Sequence, residues 1–306
     1  MKVRQLTRSL DDRLPAWCSD GLRVLALLWG RLTARARMTP SIVVIGAQRS
    51  GTTTLFRLLE AHPGLVRPTF SKGTGYFDDH YARGARWYRG HFPLRVLARL
   101  RYGRDVQAFE CSGYYLNHPL AARRLAHDLP GVHVVVLLRD PVDRAASAHR
   151  HEVARGFETL PLLEALALEP ERTAGEEERL RTEPGYASAE HRHHAYLRRG
   201  EYADQVARFV DALGADRVHV VDADRFFAQP TEEFAALQRR LDLPVWSPPS
   251  VEVWNARPGA ALDDDLRRRL MHHFEAHDVA LTALTGHAPS WRTTYWDTTE
   301  DQGVPA

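Results

Sequence analysis

Ser41-Ile42-Val43-Val44-Ile45-Gly46-Ala47-Gln48-Arg49-Ser50-Gly51-Thr52-Thr53-Thr54-Leu55 decides how this chain of 306 residues is read. The apolar, β-branched run between Pro40 and Gly46 has the pattern of a strand buried on both faces. Leu55, Leu58 and Leu59 then recur at helical spacing, and His62-Pro63-Gly64 stops the run. The segment between is a P-loop-like phosphate-binding loop. A helix start offers unpaired N–H groups and the positive end of its dipole, Gly51 lets the backbone approach an anion, and the threonine hydroxyls add donors. A nucleoside-triphosphate loop, Gly-x-x-x-x-Gly-Lys-Ser/Thr, needs a lysine where Thr52 stands. Here the cation is Arg49, inside the loop, which suits a site where a guanidinium replaces a metal ion.

Two more strand-helix units follow. Val132 to Leu138 is nearly all aliphatic, Asp140 is placed to cap, and Pro141 suits a first helical position, so a helix is predicted to about Gly156. Val218 to Val221 reads as a strand, with a helix from Thr231 to Leu241. Alternating strands and helices predict an α/β fold of three layers, α/β/α, around a central, mostly parallel sheet. Residues 169–185 are charged with little apolar periodicity and read as a surface excursion or mobile lid. The expected division is an N-terminal basic helical extension over 1–40, one folded domain over 41–297 and a flexible tail over 298–306.

Lys and Arg number 41 against 39 Asp and Glu. This balance gives no global field for nucleic acid, so any anion site must be local. Cys18 and Cys111 form neither a disulfide framework nor a metal cluster and fit a reducing cytoplasm. His191, His193 and His194 lack the carboxylate or cysteine partners of common metal sites, so no metal is expected. The apolar run Val24 to Trp29 is far short of the ~20 residues of a membrane span. Arg31, Arg35 and Arg37 break a signal-peptide pattern. Residues 1–40 read as a helix packed on the body, with peripheral contact to a membrane or a partner subunit as the alternative.

The loop Arg49-Ser50-Gly51-Thr52-Thr53, in its strand-loop-helix setting, resembles that of the sulfotransferases that use PAPS (3′-phosphoadenosine 5′-phosphosulfate), especially the heparan sulfate branch. The resemblance implies that Arg49, Ser50, Gly51, Thr52, Thr53 and Thr54 bind the 5′-phosphosulfate. It implies that Arg139 and Ser147, in Leu138-Arg139-Asp140-Pro141-Val142-Asp143-Arg144-Ala145-Ala146-Ser147, hold the 3′-phosphate. A crevice over the carboxyl ends of the strands is where both would meet. Ser71-Lys72-Gly73-Thr74-Gly75-Tyr76-Phe77-Asp78 is similar to the family segment beginning Lys-Glu, which makes Lys72 the lysine near the transferring group. The family's general-base Glu is Gly73 here.

An alcohol acceptor needs a positioned base. Glu110 is the first candidate, since Phe109-Glu110-Cys111-Ser112-Gly113-Tyr114-Tyr115 resembles the family's Glu-Lys-Ser-Pro-x-Tyr segment, with Cys111 in the lysine's place. His118, Asp78 and His80 follow it. Arg198 and Tyr202, in Leu197-Arg198-Arg199-Gly200-Glu201-Tyr202, resemble a helix start near the donor, and Arg257 in Asn255-Ala256-Arg257-Pro258-Gly259 would sit in a late loop closing over it. The resemblance spans about residues 41–291 and implies sulfuryl transfer from PAPS to a hydroxyl or amine, on a carbohydrate, a lipid or a small metabolite, without a metal. Arg and Ala richness fits a GC-rich bacterial genome. Two other readings stay open. One is a P-loop kinase or NTPase with Asp222 as a magnesium ligand, and the other is a noncatalytic nucleotide- or sulfate-binding relative that lost its base at Gly73.

Overall fold

A computed structural model of the chain describes residues 16–248 and 262–292. Five parallel strands, β1 Pro40–Gly46, β2 Leu65–Val66, β3 Gln107–Cys111, β4 His133–Leu138 and β5 Val218–Asp222, form one sheet in the order β2-β3-β1-β4-β5. The first eight helices in chain order are α1 Ala16–Leu32, α2 Thr52–Ala61, α3 Ala85–Gly90, α4 Arg95–Tyr102, α5 Ala121–Asp128, α6 Pro141–Arg155, α7 Leu162–Thr173 and α8 Glu176–Thr182. They are followed by α9 Ala189–His193, α10 Tyr202–Leu213, α11 Ala223–Ala228, α12 Pro230–Arg240 and α13 Asp264–Thr285.

The period of two along each strand sorts side chains to two faces. Val43 and Ile45 of β1 join Val134, Val136 and the inner face of α10, Tyr202, Val206 and Phe209. Ile42 and Val44 point the other way, into Leu55, Leu58 and Leu59 of α2 with Phe234 and Leu237 of α12. The result is the three-layer α/β/α arrangement. A third cluster, Val142, Ala145, Leu166, Leu270 and Phe274, ties α6 to α7 and α13. Asp140 accepts from the N–H of Val142 and Pro141 opens α6, so the second strand-helix unit starts on local capping alone.

Residues 169–185, expected as a surface excursion or mobile lid, are mostly helical and take in the end of α7 and the whole of α8. Besides the buried Ala165, Leu166 and Leu180, polar contacts support them. Arg179 reaches Glu183 at 3.0 Å and Arg181 pairs with Glu177, one turn apart in each case. Buried Glu169 accepts the backbone N–H groups of Leu197 and Arg198 at 2.6 and 2.8 Å. These polar contacts do not register as apolar periodicity.

The N-terminal helix crosses α3 through a glycine pair. A Cβ on Gly30 would lie 2.5 Å from the carbonyl oxygen of Gly90, so only glycine permits this approach. Immediately after α1, buried Arg37 donates to the carbonyl of Phe92. Among the described residues no helix is long and apolar enough to cross a membrane.

Candidate active site

Parallel strands place their carboxyl ends, and the loops that follow, on one side of the sheet. The loop after β1 turns through two residues of positive φ, Arg49 at 73° and Gly51 at 86°. A Cβ on Gly51 would meet the ring of Phe227, from α11, at 2.3 Å, so a side chain there would have to displace that ring as well as adopt the positive φ. The helix that follows begins at Thr52, whose side chain is buried, as is that of Thr54. Ser50 is fully buried beneath the turn.

Three separate segments meet here. The Nε of Arg49 donates to Oγ of Ser147 on α6 at 3.1 Å. Lys72, from the stretch between β2 and β3, donates through Nζ to Oγ1 of Thr52 at 3.0 Å and of Thr53 at 3.4 Å. Its own carbonyl accepts from the N–H of Cys111 at 3.0 Å, which pins it to the end of β3. An arginine, a lysine and the N-terminal turn of α2 therefore converge on one spot. The arrangement can stabilise negative charge on a phosphate or sulfate oxygen.

Arg139 follows β4. Its Nη2 lies 3.4 Å from Oδ2 of Asp143, its side chain is about one-third exposed (34%), and Arg267 of α13 takes the other oxygen of Asp143 at 2.6 Å. Its carbonyl accepts the hydroxyl of Tyr202 at 2.9 Å, so buried Tyr202 braces the main chain at the strand end. Arg198 behaves differently. Its Nη1 donates to Glu201 at 2.6 Å and its Nη2 lies 3.6 Å from Glu177, and its bonds within the described residues join it to neither loop. Arg257 lies outside the described residues.

Next to these groups is a polar cleft of about 350 Å³, lined among others by Gly73, Thr74, Asp78, Ser112, Tyr114 and Arg192. It adjoins the basic cluster through Gly73, the neighbour of Lys72, and through Gly113, whose Cβ would sit 3.7 Å from Cα of Gln48. At Gly73 a Cβ would approach the carbonyl oxygen of Cys111 to 2.4 Å and Oγ of Ser112 to 2.5 Å, so this backbone has no room for a side chain.

Glu110, on β3, is fully buried and does not line the cleft. Between them stands Thr74, whose Oγ1 donates to Glu110 at 3.0 Å and which does line it. Burial pushes the Glu110 carboxyl up to about 7 against the pull of hydrogen bonds from Tyr115 and Thr74. His118 is buried and held neutral by desolvation, and its Nδ1 accepts the N–H of Leu120, a structural role. Asp78 is buried with its pKa raised by desolvation, and Arg192 forms an ion pair with Asp79 beside it.

Reasoning from sequence missed Phe227, Thr74 and Arg192. Thr74 could have been found from its place beside Gly73, but Phe227 and Arg192 enter only through tertiary packing. The three histidines near Arg192 have protein partners: His191 meets the hydroxyl of Tyr114 at 2.8 Å, His193 meets Glu152 at 3.0 Å and His194 meets Glu190 at 2.6 Å. Asp222, the magnesium ligand of the kinase reading, is committed elsewhere. It caps α11 through the N–H groups of Asp224 and Arg225 and accepts both the N–H and the hydroxyl of Ser290.

A central parallel sheet between two helical layers, with a P-loop-like turn carrying Arg49 at the end of its middle strand, is a three-layer α/β/α fold. Residues 39–255 match the sulfotransferase domain family, and the chain belongs to it. The chain is 24% identical over 252 residues to the bifunctional heparan sulfate N-deacetylase/N-sulfotransferase 1 of Caenorhabditis briggsae, an alignment covering 76% of this chain and 26% of that protein. It is 24% identical to the heparan sulfate glucosamine 3-O-sulfotransferase 5 of Mus musculus over 67% of this chain and 54% of the relative. The chain thus spans about a quarter of the bifunctional relative and about half of the 3-O-sulfotransferase. A sulfotransferase from Alicyclobacillus acidocaldarius superimposes with a TM-score of 0.62 at 28% identity, covering 83% of this chain and 99% of that one.

Proposed function

We propose that this sulfotransferase-family chain moves the sulfuryl group of PAPS to a hydroxyl or amine acceptor and releases PAP, the 3′,5′-bisphosphate. The observation that carries the reading is the hydrogen bond between Arg49 and Ser147, which joins the loop suited to the 5′-phosphosulfate to the helix suited to the 3′-phosphate. Arg49, Lys72 and the N–H groups at the start of α2 would hold the donor with positive charge aimed at the bridging oxygen. Each such donor is worth ~2.7–4 kcal/mol to the rate step. The acceptor lone pair forms the new bond to sulfur, the bond from sulfur to the phosphate oxygen breaks, and its electron pair stays on PAP. The acceptor proton passes to the hydroxyl of Thr74 as that hydroxyl gives its own to Glu110, so the base acts through one intermediate group.

The charged and hydroxyl lining of the cleft supports a polar acceptor, such as a glycan or the headgroup of a lipid. A cytoplasmic setting belongs to the same reading. Calorimetry with PAP tests it: Arg49→Ala and Arg139→Ala are each expected to weaken binding at least about a hundredfold, and unchanged affinity in both would remove the proposal. Transfer of labelled sulfate from PAPS to a member of an acceptor panel then separates an enzyme from a noncatalytic relative. Stabilisation by PAP but not by ATP with magnesium separates it from a kinase.

A further inference from the structure

Helices α1 and α4 invert the usual surface pattern. A helix on a soluble body turns its large apolar side chains inward and its small or polar ones outward. On α1 the contact with α3 is made by Gly30, while Val24, Leu25, Leu28, Trp29 and Leu32 are exposed. Leu32 is 82% exposed, close to its full accessibility. These positions recur at three- and four-residue spacing and form one stripe. On α4 the buried residue is Ala98, and Val96, Leu97 and Leu100 face outward, with Leu100 79% exposed.

The segment that follows α1 joins the two helices. The residues after α1 lead directly to the start of α4: the N–H of Met38 donates to the carbonyl of Pro93 at 2.9 Å, Arg37 bridges Leu94, and Nη2 of Arg95 reaches the carbonyl of Arg37 at 3.4 Å. Charge around them is mostly basic, with Asp20 on α1 and Glu60 beside Leu97 and Arg101 as the nearby acidic groups. Residues 21–59 and 80–104 contain no Asp or Glu, and the second stretch carries seven arginines. Arg31, Arg35, Arg95, Arg99 and Arg101 are exposed. Trp29 and Tyr102 add the amphipathic rings that settle at a membrane-water boundary.

We infer that α1 and α4 form a surface that lies on a membrane leaflet rich in anionic lipid. The 17 described residues of α1, about 25 Å of helix, include Asp20, Arg23 and Arg31 and are not apolar enough to cross hydrocarbon, so α1 would lie in the interface plane. The leucines and Trp29 enter the acyl boundary, and the arginines lay their stems along it with guanidinium groups at the phosphates. A protein partner would need a complementary acidic and apolar face, whereas an anionic leaflet supplies both properties everywhere. This inference stands apart from the sulfuryl-transfer reading and uses none of its residues.

Flotation of the full chain with vesicles tests it. The chain is expected to rise with vesicles of phosphatidylcholine and phosphatidylglycerol, to rise poorly with phosphatidylcholine alone, and to detach as salt is raised. Leu28→Ser with Leu97→Ser and Leu100→Ser is expected to lower the bound fraction at least about tenfold. Arg99→Glu with Arg101→Glu should lower it on the anionic vesicles only. Near-ultraviolet circular dichroism identical to that of the parent confirms that the variants are folded. A chain that stays down with both kinds of vesicle overturns the inference. A concentration-dependent dimer abolished by the same leucine substitutions also overturns it and assigns the face to a second copy.

Discussion

The Nε of Arg49 and the Oγ of Ser147 are 98 positions apart in the chain and 3.1 Å apart in space. One residue belongs to the loop after β1 and the other to the second turn of α6, so the contact fixes the span between the two ends of the donor site. Ser147→Ala is expected to weaken PAP binding about tenfold, near the upper end for one hydrogen bond. Arg49→Ala should weaken it at least about a hundredfold, because a charged donor is lost. The double variant should fall short of the product of the two, since each single change already breaks the shared bond. A full multiplicative loss by calorimetry would show that the two side chains act independently.

Lys72 touches the first helical turn and not Ser147, so its loss should register in the rate more than in binding. Lys72→Met is expected to lower kcat about 10²- to 10³-fold and to leave PAP affinity within about threefold. Rapid-quench measurement of a single turnover checks this.

Glu110 should give activity a rising limb with pH. A base must be unprotonated, and burial has moved this carboxyl up to about 7, so kcat is expected to climb through that value and level off above it. Glu110→Gln should lose turnover with PAP affinity retained. Stability has the opposite dependence. A raised native pKa means the folded chain holds the proton more tightly than the unfolded one, so this contribution is complete below about 4.5 and lost as pH rises through about 7. The loss is on the order of 3 kcal/mol. Urea unfolding at pH 8 should therefore find Glu110→Gln more stable than the parent.

Restoring a side chain at position 73 should fail. The Cβ of Gly73→Ala would press on the carbonyl oxygen of Cys111, at a cost of about 1–3 kcal/mol. Gly73→Glu should melt lower and show no gain in transfer, even though it recreates the Lys-Glu pair of the wider family. Gain of activity in that variant would place the base at position 73 after all.

His133 and His219 stack across β4 and β5 with ring centres 5.1 Å apart and Nδ1 to Nε2 at 2.8 Å. Burial first, and the neighbouring His133 next, lower His219 to about 4. With the native pKa below the unfolded one, the stability from this group is present above about 6.5 and lost as pH falls through about 4. Chemical denaturation across that window should show a steep decline in the parent and a shallower one in His219→Asn.

The strand-helix units around β1 and β4 were legible because strands buried on both faces are unbroken aliphatic runs and their caps are local, as Asp140 and Pro141 are. β3 was harder, since Gln107-Ala-Phe-Glu-Cys carries the acidic Glu110 next to its last residue and becomes a strand by pairing with β1. The helices within residues 169–185 were not foreseen because they rest in part on ion pairs and on Glu169, a long-range contact. At the site, Arg49, Lys72 and Ser147 could be named from loop position and resemblance. Thr74 could be noticed beside Gly73, but its part as a relay depends on Glu110 lying beneath it. The pairing of Arg198 with Glu177 and Glu201 likewise follows from where helices dock.

The strand that delivers the phosphate loop is flanked by β3 and β4 and is nowhere near an edge of the sheet. Amides along β1 should therefore be the last to exchange with deuterium, while β2 and β5 at the rims breathe freely. A catalyst built this way can loosen its periphery to admit and discharge cargo without loosening the grip at its centre.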